Sequence, residues 1–190
     1  MLVLASSSPY RRSLLERLRL PFEVTPPLVD EHAHDGETPR ATALRLAQTK
    51  ARAVAAARPR DVVIGSDQVA SLEGAPLGKP GSHAAALAQL RAMRGSTVEF
   101  HTALCVVDGP RGTSELEEVP TSVTFRQFSD EQAERYLWAD QPYDCAGSAK
   151  IEALGIALVL RVESEDPSAL IGLPLISLVG MLMRAGIEIP

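Results

Sequence analysis

Cysteine, lysine and long apolar runs are all scarce in this chain of 190 residues. The two cysteines, Cys105 and Cys145, are far apart and form neither a CxxC pair nor a Cys/His spacing typical of zinc, which indicates a reducing compartment. The apolar start of the chain is too short for the core of a signal peptide, and no run approaches the length of a membrane span. These absences predict a soluble, cytoplasmic protein.

Excess positive charge is also missing, since the formal net charge is −5. A partner that is a nucleic acid polymer is therefore not expected, because gripping its phosphates requires clustered Lys and Arg. A single anionic ligand remains compatible with this charge. The composition, with 45% hydrophobic and 23% charged residues, is that of an ordinary globular protein. The length fits one domain over residues 1–190, or one domain built of two lobes around a cleft.

Only three of the 19 basic residues are lysines, namely Lys50, Lys79 and Lys150. Arginine replaces lysine at little cost where only a solvated surface charge is needed. A retained lysine is then favoured where a compact, flexible ammonium is required. We therefore treat these three positions as candidates for contacts with an anion.

Strand-like and helix-like segments alternate along the chain and predict an α/β fold with a mixed twisted sheet and flanking helices. Strands are predicted at 2–5, 22–24, 61–70 with an interruption at Gly65, 98–107, 119–128 and 157–162. Helices are predicted at 11–20, 39–57, 83–94, 129–139 and 173–185. The segment 129–132, S-D-E-Q, resembles a capping box. Residues 108–118 are expected to form a polar tip between two antiparallel strands.

Two segments in the first third of the chain could bind phosphates or a metal. Residues 6–12, S-S-S-P-Y-R-R, place hydroxyls and arginines at a strand-to-helix junction, which suits an anion but equally suits a simple helix cap. Asp30 and Glu31 could hold Mg²⁺ or Mn²⁺ together with substrate phosphates, or form a solvated acidic loop. His32 and His34 are more typical of polar surface than of metal ligands.

Three further segments carry weaker signals. Residues 74–80, G-A-P-L-G-K-P, are not a P-loop, because the glycine spacing is one short and Pro80 replaces the Ser/Thr that would bind magnesium; they do fix Lys79 between Gly and Pro. In residues 143–152 small residues permit close approach of a ligand, and Cys145 is more typical of a structural cysteine than of a nucleophile. Residues 171–175, I-G-L-P-L, form a turn into the last helix that packing alone could explain.

The order of these motifs is more specific than any one of them. The motifs are ASSSPYRR (5–12), VDE (29–31), LAQTKA (46–51), IGSDQV (64–69), LGKP (77–80), CAGSAKIEALGI (145–156) and IGLPL (171–175). Together they resemble the Maf family of nucleoside triphosphate pyrophosphatases from residue 2 to about residue 184. The resemblance implies two lobes around a nucleotide-binding cleft, a divalent metal cation (Mg²⁺ or Mn²⁺), and hydrolysis of a nucleotide to its monophosphate and diphosphate.

The resemblance also implies roles for individual residues. Asp67 matches the acid that would accept a proton from water attacking the α-phosphorus, and Glu31 with Asp67 would hold the metal. The sequence leaves open whether Asp67 acts as base, metal ligand or both. The positions that would hold the triphosphate are Ser6, Arg11, Lys50 and Lys79.

Three residues bear on the substrate within the family. Tyr10, Gln68 and Glu152 resemble the branch that hydrolyses 7-methyl-GTP rather than the branch for dTTP and UTP, although Trp is more common than Tyr at the first position. An aromatic ring suits the positively charged 7-methylguanine, and a carboxylate could accept from the N–H groups of guanine.

Gln68 could complete the contacts to the base edge or orient the water. A dTTP or UTP pyrophosphatase, one for other modified nucleotides, and a nucleotide-binding regulator of cell division remain alternatives. A homodimer through the apolar closing segment is compatible with the sequence.

Overall fold

The computed structural model of the protein describes residues 1–189 and confirms the predicted α/β class. Its described residues form seven strands and five α-helices, and most of them lie where the apolar periodicity predicts. The strands are β1 Leu2–Ala5, β2 Phe22–Val24, β3 Val62–Leu72, β4 Ala75–Leu77, β5 Thr97–Asp108, β6 Thr113–Phe125 and β7 Val159–Ser164. The helices are α1 Pro9–Glu16, α2 Pro39–Ala57, α3 His83–Met93, α4 Asp130–Asp140 and α5 Leu175–Arg184.

The strands form one mixed sheet with the order β2-β1-β3-β5-β6-β7, and β4 pairs with β3. Strand β1 runs parallel to both β2 and β3. Strands β4 and β7 run antiparallel to β3 and β6, respectively. None of the helices within residues 1–189 combines the length and the apolar character needed to cross a bilayer.

The chain divides into two compact units. Three strands, β3, β5 and β6, contribute residues to both units. Within the described residues, the first unit comprises residues 1–68, 102–119 and 166–189, and the second comprises residues 69–101 and 120–165. The single domain with a cleft between two lobes that the sequence suggests stays a prediction.

In the first unit the strands separate two helical layers. Side chains of successive strand residues point to opposite faces of a sheet. Accordingly, the even-numbered residues of β1, Leu2 and Leu4, pack with α1 and α5, whereas Val3 and Ala5 pack with Val54 of α2. Strand β3 continues the pattern, with Val62 and Ile64 in the first cluster and Val63 in the second.

The second unit packs α3 against α4 and a short 3-10 turn, Ala146–Ser148, against α3. Helix α4 begins with the predicted capping box, in which Ser129 accepts from the backbone of Gln132 and Gln132 accepts from the backbone of Ser129. The buried aromatic side chains of this unit include Phe100, Phe125 and Tyr136.

Several predicted limits differ from the structure, among them the end of β6 at Phe125 and the start of β7 at Val159, and three differences are larger. Strand β3 is continuous through Gly65, and the short strand β4 pairs with its end. Helix α1 ends at Glu16, because the chain turns there and reaches a positive φ of 54° at Arg19. The polar tip is shorter than 108–118, since β6 already begins at Thr113.

Candidate active site

Asp67 lies on β3 just beyond the end of its parallel neighbour β1. The last registered pair of the two strands is Ala5 with Gly65, so Ser6 and Asp67 both follow the carboxyl end of β1. Sites in α/β sheets commonly form at the carboxyl ends of parallel strands. Asp67 and Ser6 are nevertheless 7% and 3% exposed, so each lies within the packed structure rather than on its surface.

Gly65 allows helix α2 to approach β3 closely. A Cβ atom at this position would lie 2.4 Å from the backbone oxygen of Ala47 and 2.6 Å from the backbone nitrogen of Ala51. Gly65 is therefore required by helix–strand contact within a continuous strand, and not by a break in the strand as the sequence suggested. Because Lys50 precedes Ala51 on the same helix, this contact brings its side chain to the strand that carries Asp67.

The ammonium of Lys50 joins the two carboxylates that the sequence assigns to the metal. Its Nζ lies 2.7 Å from Oδ1 of Asp67 and 2.8 Å from Oε2 of Glu31. The side chains of Lys50 and Asp67 are 6% and 10% exposed, whereas that of Glu31 is 59% exposed. One buried ammonium therefore pairs with a buried carboxylate, that of Asp67, and with an exposed one, that of Glu31.

Arg11 adds a second positive charge to this group. Burial lowers the pKa of its guanidinium, and the nearby charges of Asp67 and Glu31 act in the opposite direction. Arginine stays protonated at any physiological pH, so the group contains two cations and two carboxylates. Tyr10 precedes Arg11 in the first turn of α1 and is half-buried.

The start of α1 is capped by its own serines. Ser8 accepts from the backbone nitrogen of Arg11 at 3.4 Å, and Ser6 Oγ accepts from the backbone nitrogen of Ser8 at 3.1 Å. The structure thus shows the helix cap, and binding of an anion at this segment stays a prediction.

The loop that carries Glu31 is fastened to α2 by an arginine that the sequence analysis missed. Arg45 donates to Oε1 and Oε2 of Glu37, each at 2.7 Å, and to the backbone oxygen of His32 at 2.9 Å. Hydrogen bonds from Arg45 lower the pKa of Glu37 to about 2. The ring Nδ1 of His32 lies 2.6 Å from Oδ1 of Asp30, and its side chain is 95% exposed, which agrees with its interpretation as polar surface.

On the opposite face of β3, side chains bind a backbone turn that leads to α5. Ser66 Oγ lies 2.8 Å from the backbone oxygen of Ala103 and 2.9 Å from that of Gly172, so its one proton is shared between the two. Gln68 Nε2 lies 2.8 Å from Thr102 Oγ1 and 3.0 Å from the backbone oxygens of both Ala169 and Leu170. The amide nitrogen that could have contacted a base is therefore surrounded by acceptors within the protein.

Lys79 lies in the second unit on an exposed loop between β4 and α3. The loop is held from both sides: Gln89 donates to the oxygen of Gly78 at 2.9 Å, and the nitrogen of Gly81 donates to the oxygen of Tyr143 at 3.0 Å. The backbone is thus fixed, whereas no buried carboxylate within residues 1–189 binds the ammonium of Lys79 as Asp67 binds that of Lys50.

Glu152 also belongs to the second unit and is exposed on a tight turn. The nitrogen of Ala153 donates to the oxygen of Lys150 at 3.1 Å. A Cβ atom at Gly155 would lie 2.5 Å from the same oxygen, so the two ends of the turn are in backbone contact. The nitrogen of Lys150 in turn donates to the hydroxyl of Tyr136 at 2.8 Å.

The donor set around Lys50 suits a hard cation only in part. Carboxylate oxygens from Glu31 and Asp67 are the ligands that Mg²⁺ prefers, and Mg²⁺ is commonly held by one or two carboxylates together with substrate phosphates. In the described part of the chain, no cluster of three or more His, Cys, Asp or Glu side chains is arranged to hold an ion. The arrangement thus fits a cation whose coordination is completed by a phosphate substrate.

Of the nine predicted site residues, seven belong to the first unit and two, Lys79 and Glu152, to the second. The structure brings Arg11, Glu31, Lys50 and Asp67 together. Arg45, Ser66 and Thr102 were not predicted as site residues. Arg45 and Thr102 lie outside the motifs, and Ser66 lies within IGSDQV (64–69) but binds backbone oxygens that are distant in the sequence.

Comparisons with known proteins show which proteins this chain is similar to. Residues 1–185 match the family model described as Maf-like protein. The "7-methyl-GTP pyrophosphatase" of Cupriavidus metallidurans is 59% identical over 185 residues, which cover 97% of this chain and 93% of that protein. The protein of the same description from Ralstonia nicotianae is 62% identical over 181 residues, covering 95% and 93%.

A solved structure, that of the Staphylococcus aureus Ham1 protein, shares 18% identity over 66% of this chain and 72% of that chain, with a TM-score of 0.48. A likeness at this TM-score carries no argument about the fold of this chain.

Proposed function

Because the chain belongs to the Maf family, we propose that it is a nucleoside triphosphate pyrophosphatase that hydrolyses 7-methyl-GTP to 7-methyl-GMP and diphosphate. The observation that carries this proposal is the identity of 59–62% over at least 95% of the chain to relatives that bear this description. Such an enzyme removes a modified nucleotide from the nucleotide pool.

The charged group of the first unit would bind the triphosphate. Arg11 offers a planar, forked donor to phosphate oxygens, and Lys50 offers a compact ammonium. Ser6 adds a hydroxyl next to the start of α1. Lys79 is proposed to contact the triphosphate from its exposed loop, where its length and freedom suit a flexible phosphate chain.

Asp67 is proposed to accept the proton from the attacking water. The oxygen of that water forms a bond to the α-phosphorus, the bond from this phosphorus to the bridging oxygen of the β-phosphate breaks, and diphosphate leaves with the bonding electrons. Holding the water and the phosphate in line accounts for much of such a rate enhancement. The paired ammonium keeps a buried carboxylate in place for this task.

A divalent cation is part of the proposal, with Glu31 and Asp67 as its protein ligands. When bound, it would supply neutralisation of the negative charge on the phosphate oxygens. Because Lys50 bonds to the same two carboxylates, we expect the cation to bind tightly only together with the nucleotide, whose phosphates offer Lys50 a new partner.

The base is proposed to be recognised by Tyr10 and Glu152. A ring that stacks on positively charged 7-methylguanine gains roughly 0.5–2 kcal/mol from cation–π attraction. A carboxylate accepts from the two N–H donors on one edge of guanine but repels the carbonyl oxygens of uracil and thymine. The family resemblance adds Gln68 to this set.

The experiment that tests the proposal is a substrate panel. Purified protein is assayed for diphosphate release from 7-methyl-GTP, GTP, dTTP and UTP, with Mg²⁺, with Mn²⁺ and with a chelator. We expect the highest kcat/KM for 7-methyl-GTP and loss of turnover with the chelator. Equal or better turnover of dTTP or UTP would replace the proposed substrate, and the absence of any turnover would favour a nucleotide-binding regulator.

Two broader expectations complete the proposal, namely a cytoplasmic location and a homodimer. Helix α5 buries Leu178, Met181 and Leu182 and exposes Ile176 and Met183, at 63% and 62%, so these two side chains are what α5 could offer to a second copy. Light scattering on the purified protein measures the oligomeric state directly.

A further inference from the structure

Gln68 and Asp67 leave β3 on opposite faces. The odd-numbered residues Gly65 and Asp67 meet helix α2, through Ala47, Ala51 and Lys50. The even-numbered residues Ser66 and Gln68 meet the backbone of residues 169–172. Gln68 can therefore affect the group around Asp67 only through residues that lie between them.

That intermediary is the turn at residues 169–172, which β3 and β5 hold by hydroxyl and amide groups. Thr102 is fully buried on β5, and its Oγ1 accepts from Gln68 at 2.8 Å while donating to the oxygen of Ala169 at 2.9 Å. Each partner thus bonds both to the other and to the turn. Two side chains that share acceptors in this way act as a unit.

The other side of the turn is fixed to α5. Asp166 is 2% exposed and accepts from the hydroxyl of Ser168 at 2.6 Å and from the nitrogen of Ile176 at 2.7 Å. Ser168 Oγ also accepts from the nitrogen of Leu175 at 2.7 Å and lies 2.9 Å from the oxygen of Leu173. With both sides anchored, the orientation of the turn depends on the bonds from Thr102, Gln68 and Ser66.

The turn reaches the charged group through one carbonyl. The oxygen of Gly172 accepts from Ser66 Oγ at 2.9 Å and from Nε of Arg11 at 2.8 Å. Gly172 has a φ of 115°, which favours glycine, and the side chain of Arg11 passes within 3.6 Å of where its Cβ would be. A bond at Nε fixes the plane of a guanidinium and so sets where its two terminal nitrogens point.

We infer that Thr102 is a positioning residue of this site, and that Gln68 acts on the substrate through the turn 169–172 and Arg11 rather than by touching the base. The inference rests on the proposed function in one respect only, which is that Arg11 contacts a phosphate chain. Thr102 belongs to none of the sequence motifs that marked the other site residues.

The test compares matched variants. Thr102→Val keeps the shape of the side chain and removes the hydroxyl, Thr102→Ser keeps the hydroxyl, and Gln68→Met removes the amide at similar length. For each variant, for the double variant Thr102→Val/Gln68→Met and for the unchanged protein, calorimetry gives the Kd of inorganic triphosphate with Mg²⁺. Steady-state assays give kcat and KM for 7-methyl-GTP, GTP and UTP.

We expect Thr102→Val and Gln68→Met each to weaken binding of inorganic triphosphate by about 10-fold, the effect of one lost buried hydrogen bond. The double variant should bind inorganic triphosphate about as tightly as the weaker-binding single variant. The Kd of Thr102→Ser should stay within about 2-fold of that of the unchanged protein. A smaller folded fraction would lower kcat without changing Kd or KM, so these constants distinguish positioning from a purely structural role.

Three results would overturn the inference. The first is an unchanged Kd in Thr102→Val, and the second is a fold-change in Kd of the double variant equal to the product of the two single fold-changes. The third is a shift in nucleotide preference in Gln68→Met that Thr102→Val does not share. If Thr102→Val does not fold, Ser66→Ala breaks the bond to Gly172 directly and is expected to give the same loss. Protein that binds inorganic triphosphate but hydrolyses no nucleotide would remove the proposed function, while the Kd values would still decide the inference.

Discussion

Lys50 and Lys79 show how differently the two units treat the same kind of residue. Lys50 is 5% exposed, lies on a helix and bonds to two carboxylates, whereas Lys79 is exposed on a loop. A buried ammonium contributes to folding as well as to any ligand contact, because its partners lose their compensation without it. An exposed ammonium contributes chiefly when a ligand is present.

The same contrast holds for the carboxylates. Asp67 is enclosed in the first unit, while Glu152 is exposed on a turn of the second unit whose shape is fixed by Gly155. The first unit thus holds its charged side chains in fixed, buried positions, whereas the second presents Lys79 and Glu152 on exposed loops. Substitutions in the first unit should therefore change stability and turnover together, and those in the second mainly substrate binding.

The largest effect is expected for Asp67→Asn. General-base catalysis contributes typically 10²–10⁴-fold, and kcat should fall by about that factor. The control is Asp108→Asn, which also removes a buried carboxylate of the first unit, one paired with Arg111 at 3.2 Å. Diphosphate release should persist in the control, and a fully active Asp67→Asn protein would remove Asp67 from its proposed role.

The comparison of the two lysines gives the next largest effect. Lys50→Met leaves Asp67 buried beside Glu31 without the shared cation and should lower the free energy of unfolding by about 3–5 kcal/mol. Lys79→Met should change that free energy by less than about 0.5 kcal/mol while raising KM for the nucleotide. Urea unfolding and steady-state kinetics on both variants would contradict the comparison if the two lysines behaved alike.

Gly65→Ala should have a smaller but coupled effect. The new methyl group would meet backbone atoms of α2 at 2.4 and 2.6 Å, so the helix and Lys50 must move away from β3. Such overpacking costs roughly 1–3 kcal/mol, and kcat should decrease as well. Gly78→Ala of the second unit is the control for stability, because no atom lies within 4 Å of its added Cβ; equal melting temperatures of the two variants would count against the close contact.

The smallest effect concerns pH and compares one carboxylate from each unit. Hydrogen bonds from Arg91 and Arg94 lower the pKa of Asp130 in the second unit to about 2, as Arg45 does for Glu37 in the first. A carboxylate whose pKa is lower in the folded state stabilises the fold at any pH above its pKa in the unfolded state. This stabilisation is lost as the pH falls toward 2. Glu37→Gln should flatten the decline in stability between pH 4.5 and about 2, and Asp130→Asn should do so between pH 3.8 and about 2, measured by urea unfolding. Slopes equal to that of the unchanged protein would contradict this.

Local patterns in the sequence were sufficient to predict much of the fold. The limits 39–57 for α2 follow from Thr38, Pro39 and an apolar face, and the capping box at Ser129 starts α4 as expected. The interruption of β3 was wrong, because a glycine in a strand has two explanations, a bend or a close neighbour. Only the position of Ala47 and Ala51 distinguishes them.

The early end of the polar tip has a similar cause. Glu115 and Glu117 look like loop residues, yet both lie in β6, where Arg184 and Ser177 of α5 bond to their side chains. The candidate site shows the same limit: charged residues in motifs were found, whereas Thr102 and Ser66, whose partners are distant carbonyl oxygens, were not.

The sharing of Lys50 between two carboxylates also affects how a nucleotide approaches. The two negative charges of Glu31 and Asp67 and the two positive charges of Lys50 and Arg11 cancel, in a protein whose overall charge is −5. A neutral group produces little long-range field, so it cannot accelerate the encounter with an anion as a basic cleft would. Selection for the nucleotide would then take place after contact, when phosphate oxygens exchange with carboxylates as partners of the same ammonium.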